Sequence, residues 1–199
     1  MKRTAALLNR AARPRKALPH LLFFTDPART PDPEAIAAAL PRGAGIVFRA
    51  FGAVDADEQG RRLKRIAVAR GLKLLVGADP ALAARIGAHG VHLPERAAAK
   101  SRTLKSLRPG WIVTCAAHSL PAALRARRSG ADAAVVSAVF ASRSPSAGAP
   151  IGPMRLAALV RGAGLPVYAL GGVSNQTARR LVDAGLVGLA AVEGFRPRS

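Results

Sequence analysis

Residues 165–175 read Leu165-Pro166-Val167-Tyr168-Ala169-Leu170-Gly171-Gly172-Val173-Ser174-Asn175. A short, unbroken apolar run stops at two glycines. Ser174 then opens a segment with Thr177, Ala178, Leu181 and Val182 at helical spacing. An apolar run without alternation suits a strand buried on both faces, as in a parallel sheet. Two residues without side chains at its carboxyl end leave backbone N–H groups open toward a helix start, a geometry that favours an anion such as phosphate. Gly-Gly before a helix reads equally as turn chemistry. The anion reading gains force from the recurrence of this punctuation along the chain.

Working outward, apolar segments recur at Leu21–Thr25, Gly45–Arg49, Lys73–Val76, Val91–Leu93, Trp111–Cys115, Ala133–Phe140, Pro166–Leu170 and Gly188–Val192. Ala/Leu/Arg segments with helical spacing separate most of them. Asp32 with Pro33, Ser119 and Ser174 read as helix starts, while Gly71, Gly87, Gly110, Gly130 and Gly185 read as helix ends. Eight strand-helix alternations of about 20–25 residues predict a parallel sheet that closes into a barrel. An open doubly wound sheet is the competing arrangement. After the eighth strand only Phe195–Ser199 remain, so the expected fold is an α/β (β/α)8 TIM barrel lacking the last helix. The outer side of the first and eighth strands then needs a cover. Ala5, Leu7, Leu8 and Ala11, or a second copy of the chain in a homo-oligomer, can supply it.

The composition narrows the function classes. A chain of 199 residues that is 50% hydrophobic forms one domain with a full core, and no stretch reaches membrane-span length. The single Cys115 excludes an internal disulfide and fits a reducing, cytoplasmic setting. The formal charge of +20 is uneven. Lys2, Arg3, Arg10, Arg13, Arg15 and Lys16 fall within residues 1–19 with no acid among them. That segment reads as a basic N-terminal arm or a transit peptide, with residues 20–199 as the barrel. The other cations are scattered as Arg beside Ala rather than gathered in a stripe, which disfavours nucleic acid as the partner.

In a barrel of this kind chemistry collects where strands run into helices. The polar residues there are Thr25, Asp26, Arg49, Asp79, His92, Glu95, His118, Ser142, Ser144, Gly171 to Asn175 and Glu193. Arg49 ends an otherwise apolar strand, which points to function. His92, between Val91 and Leu93, reads as a core histidine or a catalytic group. Cys115 reads as a small core residue.

The strings Thr25-Asp26, Val47-Phe48-Arg49, Gly90-Val91-His92-Leu93, His118-Ser119-Leu120, Gly130-Ala131-Asp132, Val139-Phe140-Ala141-Ser142 and Leu170-Gly171-Gly172-Val173 with Asn175 occur in one order. Over Leu21–Phe195 the chain therefore resembles the thiamine phosphate synthase family and its thiazole tautomerase relatives. The resemblance implies a Mg²⁺-assisted transferase that joins a pyrimidine methyl diphosphate to a thiazole phosphate and releases pyrophosphate. It implies Arg49 on the diphosphate, His92 in the fourth strand, Ser142 and Ser144 in place of threonines, and Gly171 with Gly172 under the thiazole phosphate. Arg143 stands in for a lysine that falls on Pro145. The family's metal carboxylates fall on Gly77-Ala78 and Ala97, leaving Asp79 and Glu95 as the nearest acids in sequence. An offset of one or two positions points those acids elsewhere. Further departures are Val47, Phe51, Ala116 and Glu193, while the tautomerase histidine falls on Ala138. The competing reading is a phosphate-binding barrel without the reaction.

Overall fold

The computed structural model describes Met1, Thr4 and residues 18–142, 144 and 148–194. Eight parallel strands close into a barrel in sequence order. They are β1 (Leu21–Phe24), β2 (Gly45–Phe48), β3 (Lys73–Gly77), β4 (Gly90–Leu93), β5 (Ile112–Ala117), β6 (Ala133–Val136), β7 (Val167–Ala169) and β8 (Gly188–Ala191). Closure comes from β1 pairing with β8, Leu22 standing opposite Ala190. The helices between them are α1 (Pro33–Ala39), α2 (Ala56–Arg70), α3 (Pro80–Arg85), α4 (Lys100–Leu107), α5 (Leu120–Arg128), α6 (Gly152–Ala163) and α7 (Asn175–Ala178). No helix follows β8 among the described residues, which run to Gly194. Most of the basic arm, including Ala5, Leu7, Leu8 and Ala11, lies outside the described residues.

Local chemistry accounts for the element ends. Asp32, Asp79 and Ser119 each accept a backbone N–H in the first turn of α1, α3 and α5, and each is followed by proline within two residues. Ser174 and Thr177 cap α7 reciprocally. Gly71 closes α2 in the left-handed conformation, its N–H donating to the Ala67 and Val68 carbonyls.

Most strand ends shift by one or two residues from the expected ones, and two boundaries differ more. The sixth strand ends at Val136 rather than Phe140, because its ladder partners Ala117 on β5 and Ala169 on β7 end there. Beyond that point Val139 and Phe140 donate to the carbonyls of Leu170 and Gly171, so the chain keeps bonding to the loop after β7 without forming a strand. Gly110 does not close α4, which stops at Leu107 with Arg108 as its cap.

Alternation along the strands divides the core. Leu22, Phe24, Val47, Leu75, Ile112, Val135, Tyr168 and Ala190 fill the barrel interior. The residues between them, such as Phe23, Ile46, Leu74, Val113 and Leu189, pack outward under the helices. Each fully buried large aliphatic or aromatic side chain contributes about 1.5–3 kcal/mol. Tyr168, the single tyrosine, hydrogen-bonds the Pro19 carbonyl at 2.6 Å, and burial pushes its phenol upward. The interior below the strand ends is therefore packed shut, and the open space lies at the carboxyl-terminal mouth.

Candidate functional site

The mouth is organised around Arg49. β2 ends at Phe48, and the Arg49 N–H donates to the Thr25 hydroxyl at 2.9 Å at the end of β1. Its guanidinium Nε donates to the Thr25 carbonyl at 2.7 Å. A terminal nitrogen reaches the Asp26 carboxylate at 3.1 Å. Asp26 begins a tight turn in which Arg29 and Thr30 donate their N–H groups back to its carbonyl. That turn brings the Arg29 guanidinium to the same Asp26 oxygen at 2.7 Å. One carboxylate thus bridges two guanidinium groups, with side-chain exposures of 18% for Arg29, 25% for Arg49 and 15% for Asp26.

The electrostatics follow from this arrangement. Burial pushes the Asp26 carboxyl upward, but hydrogen bonds from Arg29 and the charges of both arginines outweigh it and hold the group below its ordinary value. For Arg49, burial is the largest influence and lowers its pKa; Asp26 opposes that shift and Arg29 adds to it. A guanidinium remains charged throughout.

Aromatic rings flank the Arg49 head. Its carbon sits 5.8 Å from the Phe24 ring centre and 5.0 Å from that of Phe51. Phe51, 67% exposed, caps the outer side. His92 projects into the barrel at the end of β4, with Nδ1 3.0 Å from the Thr114 hydroxyl and its ring edge-on to Phe24 at 5.0 Å. Burial, aided by the Arg49 charge, lowers its pKa to about 3, so the imidazole is neutral at physiological pH. The histidine is both satisfied in the core and adjacent to Arg49.

The opposite wall comes from the loops after β6, β7 and β8. Gly171 and Gly172 have φ of 92° and 62°. A Cβ on Gly172 would run into the Ala141 carbonyl oxygen, and one on Gly171 would sit 2.9 Å from Ala138. Both backbone conformation and close approach therefore require glycine here. Their carbonyls accept from Phe140 N–H and the Thr177 hydroxyl. Among the described residues, no acceptor takes their N–H groups.

These walls enclose a cavity of about 390 Å³ whose lining includes Arg29, Arg49, Ser137, Ser142, Ser144, Gly171, Gly172, Ser174 and Glu193. The expected residues Arg49, Ser142, Ser144, Gly171 and Gly172 meet there; His92 is outside this lining and stands against Phe24, the ring beside the Arg49 guanidinium. Arg143 lies outside the described residues. The structure adds Arg29 and Ser137. The only sequence signal for Arg29 was its spacing of three from Asp26. Ser137 was hidden inside a run that read as strand.

Asp79 and Glu95 stand elsewhere. The Asp79 carboxylate accepts from Leu82 N–H at 2.8 Å as the cap of α3. Glu95 pairs with His118 at 2.9 Å and Arg125 at 2.8 Å. These three line a separate cleft that does not include Arg49. All eleven Asp and Glu residues fall within the described residues, and no group of three or more His, Cys, Asp or Glu could hold a metal there. Gly77, Ala78 and Ala97 offer no side-chain oxygen. This donor set does not fit a magnesium site built on the carboxylates the resemblance implies. Cys115 is buried against the Ser101 hydroxyl at 3.4 Å.

Comparison with known proteins gives a consistent result. The family model described as thiamine monophosphate synthase matches residues 21–195. A putative thiamine-phosphate synthase 2 of Aquifex aeolicus is 34% identical over 122 residues, 61% of this chain. That match spans 65% of the Aquifex protein, just under two thirds of its length. A thiamine-phosphate synthase of Alcanivorax borkumensis is 32% identical over 186 residues, covering 88% of this chain and 84% of that protein. Among solved structures, a thiamine phosphate pyrophosphorylase from Pyrococcus furiosus matches with a TM-score of 0.72 and 28% identity, covering 86% of this chain and 84% of that one.

Proposed function

The chain belongs to the thiamine monophosphate synthase family, and from that premise we propose that it joins a hydroxymethylpyrimidine diphosphate to a thiazole phosphate, releasing pyrophosphate. The observation that carries this reading is the mouth cavity, which is lined by the paired guanidinium groups and by Gly171 and Gly172, whose N–H groups no acceptor among the described residues takes. Two anion-binding walls facing one another suit two phosphorylated reactants held together.

In this reading Arg49 and Arg29 take the diphosphate, since a planar guanidinium matches phosphoryl oxygens in a bidentate way. Ser142 and Ser144 add hydroxyl donors, and the Gly171-Gly172 backbone takes the thiazole phosphate. The carbon–oxygen bond to the diphosphate breaks with its electron pair leaving on pyrophosphate. The pyrimidine methylene cation so formed is captured by the lone pair of the thiazole nitrogen, making the new carbon–nitrogen bond. No proton transfer is needed, so positioning and charge stabilisation carry the reaction. His92, held neutral, adds no further positive charge beside the cation. Cytoplasmic localisation goes with this reading, because its substrates are phosphorylated metabolites.

The test is to incubate the protein with both precursors and seek the coupled product by mass. Product that depends on both precursors supports the reading, and no product at any protein concentration overturns it. Arg49→Ala is expected to abolish binding of the pyrimidine diphosphate; unchanged binding would remove Arg49 from the site.

A further inference from the structure

The Arg29–Asp26–Arg49 bridge has a consequence for how the mouth neutralises its ligand. Magnesium, when it serves phosphoryl chemistry, is held by one or two carboxylates plus the substrate's own oxygens. Of the chain's acids, only Asp26 and Glu193 stand at this cavity. Both Asp26 oxygens are already engaged: one accepts Arg29 N–H at 3.1 Å, and the other accepts both guanidinium groups. A dication bound to Asp26 would be placed beside two fixed positive charges. Glu193, after β8, is then the one other carboxylate at this cavity, the fewest that such a site uses. Two guanidinium groups, drawn together on Asp26, therefore already stand where a cation would face the ligand.

We propose that this site binds the diphosphate group without a divalent cation, the Arg29 and Arg49 guanidinium groups supplying the positive charge that a metal would otherwise bring. Asp26 holds the two like charges within one hydrogen-bond distance of a common oxygen, so the pair is arranged before any ligand arrives. An incoming diphosphate presents several oxygens to the same donors, and the five N–H groups of the Arg49 guanidinium exceed those that Thr25 and Asp26 take. Arg49 is fixed by Thr25 through its backbone N–H and its Nε, so its terminal nitrogens stay directed at the mouth. The inference rests on the proposed function for the identity of the natural ligand, but its claim about charge stands on the two arginines alone.

Titration calorimetry with inorganic pyrophosphate on the full chain tests it, in EDTA and in magnesium chloride at matched free pyrophosphate. The affinity in EDTA is expected to lie within about threefold of that in magnesium. Arg29→Gln should weaken binding at least tenfold in both buffers, while Arg161→Gln on the exposed side of α6 should leave it unchanged. If Arg29→Gln fails to fold, Arg29→Lys and Arg49→Lys keep the charge, lose the planar fork and should still weaken binding. Binding seen only with magnesium overturns the inference, as does unaltered affinity in the arginine variants. Product formation from both precursors together with magnesium-only binding would sink the inference and keep the proposed function. Binding in EDTA without product from both precursors would do the reverse.

Discussion

Gly172→Ala is expected to damage both the fold and the anion cradle, and its cost can be divided. The residue has φ of 62°, a left-handed conformation that costs a non-glycine residue about 1 kcal/mol. A methyl group there would also meet the Ala141 carbonyl oxygen and, at 2.7 Å, the Phe140 Cβ. Overpacking of that kind costs about 1–3 kcal/mol. The sum is about 2–4 kcal/mol, or a melting temperature lowered by about 5–15 °C for a domain of this size. Gly52→Ala separates the two contributions, because Gly52 has φ of 81° with nothing within 4 Å of the added methyl. It should lose only about 1 kcal/mol. Urea denaturation of both variants and the wild type measures the difference directly. Equal losses for the two variants would refute the close approach between the loops after β6 and β7.

Further outcomes follow from the buried polar groups. Tyr168→Phe removes the donor to the Pro19 carbonyl and should cost about 1–2 kcal/mol in urea denaturation; no loss would mean that the carbonyl finds another donor. His92, at about 3 in the folded state against 6.5 unfolded, resists protonation only when folded. Its contribution is constant above pH 6.5 and is lost as pH falls from there toward 3, reaching about 2 kcal/mol at pH 5. His89, lowered to about 4, acts in the same direction. Denaturation curves at pH 7.5 and 5 should show the drop, and His92→Gln should lessen it, leaving the part that His89 contributes. Thr25→Val removes the hydroxyl that accepts Arg49 N–H and should weaken pyrophosphate binding several-fold in calorimetry; unchanged affinity would mean that the Nε bond to the Thr25 carbonyl suffices.

The barrel was legible because its signals are local. Leu165–Asn175 and the seven other apolar runs, with caps such as Asp32 and Ser119, carry strand, turn and helix start within a few residues. Where a strand ends, however, is set by its neighbours. The run Ala133–Phe140 is apolar but for Ser137, yet the ladder stops when Ala117 and Ala169 stop offering partners. The site divides in the same way. Arg49 stood out as a charge closing an apolar strand, and Gly171-Gly172 as paired glycines at a strand end. Arg29 did not, since it is one of 31 cations and its role depends on Asp26 meeting Arg49 across β1 and β2. Asp79 and Glu95 looked available in sequence, but one caps its own helix and the other turns toward His118 and Arg125. Such choices are made by tertiary neighbours, not by spacing.

The coupling reaction is read out directly as pyrophosphate release by the purified chain supplied with both thiamine precursors, with each precursor alone as control. Release is expected to require both precursors, match the coupled product one for one, and fall at least tenfold in Arg49→Lys. Retained binding of the thiazole phosphate with no release from the pair would contradict it, and would leave a barrel that binds phosphate esters without joining them.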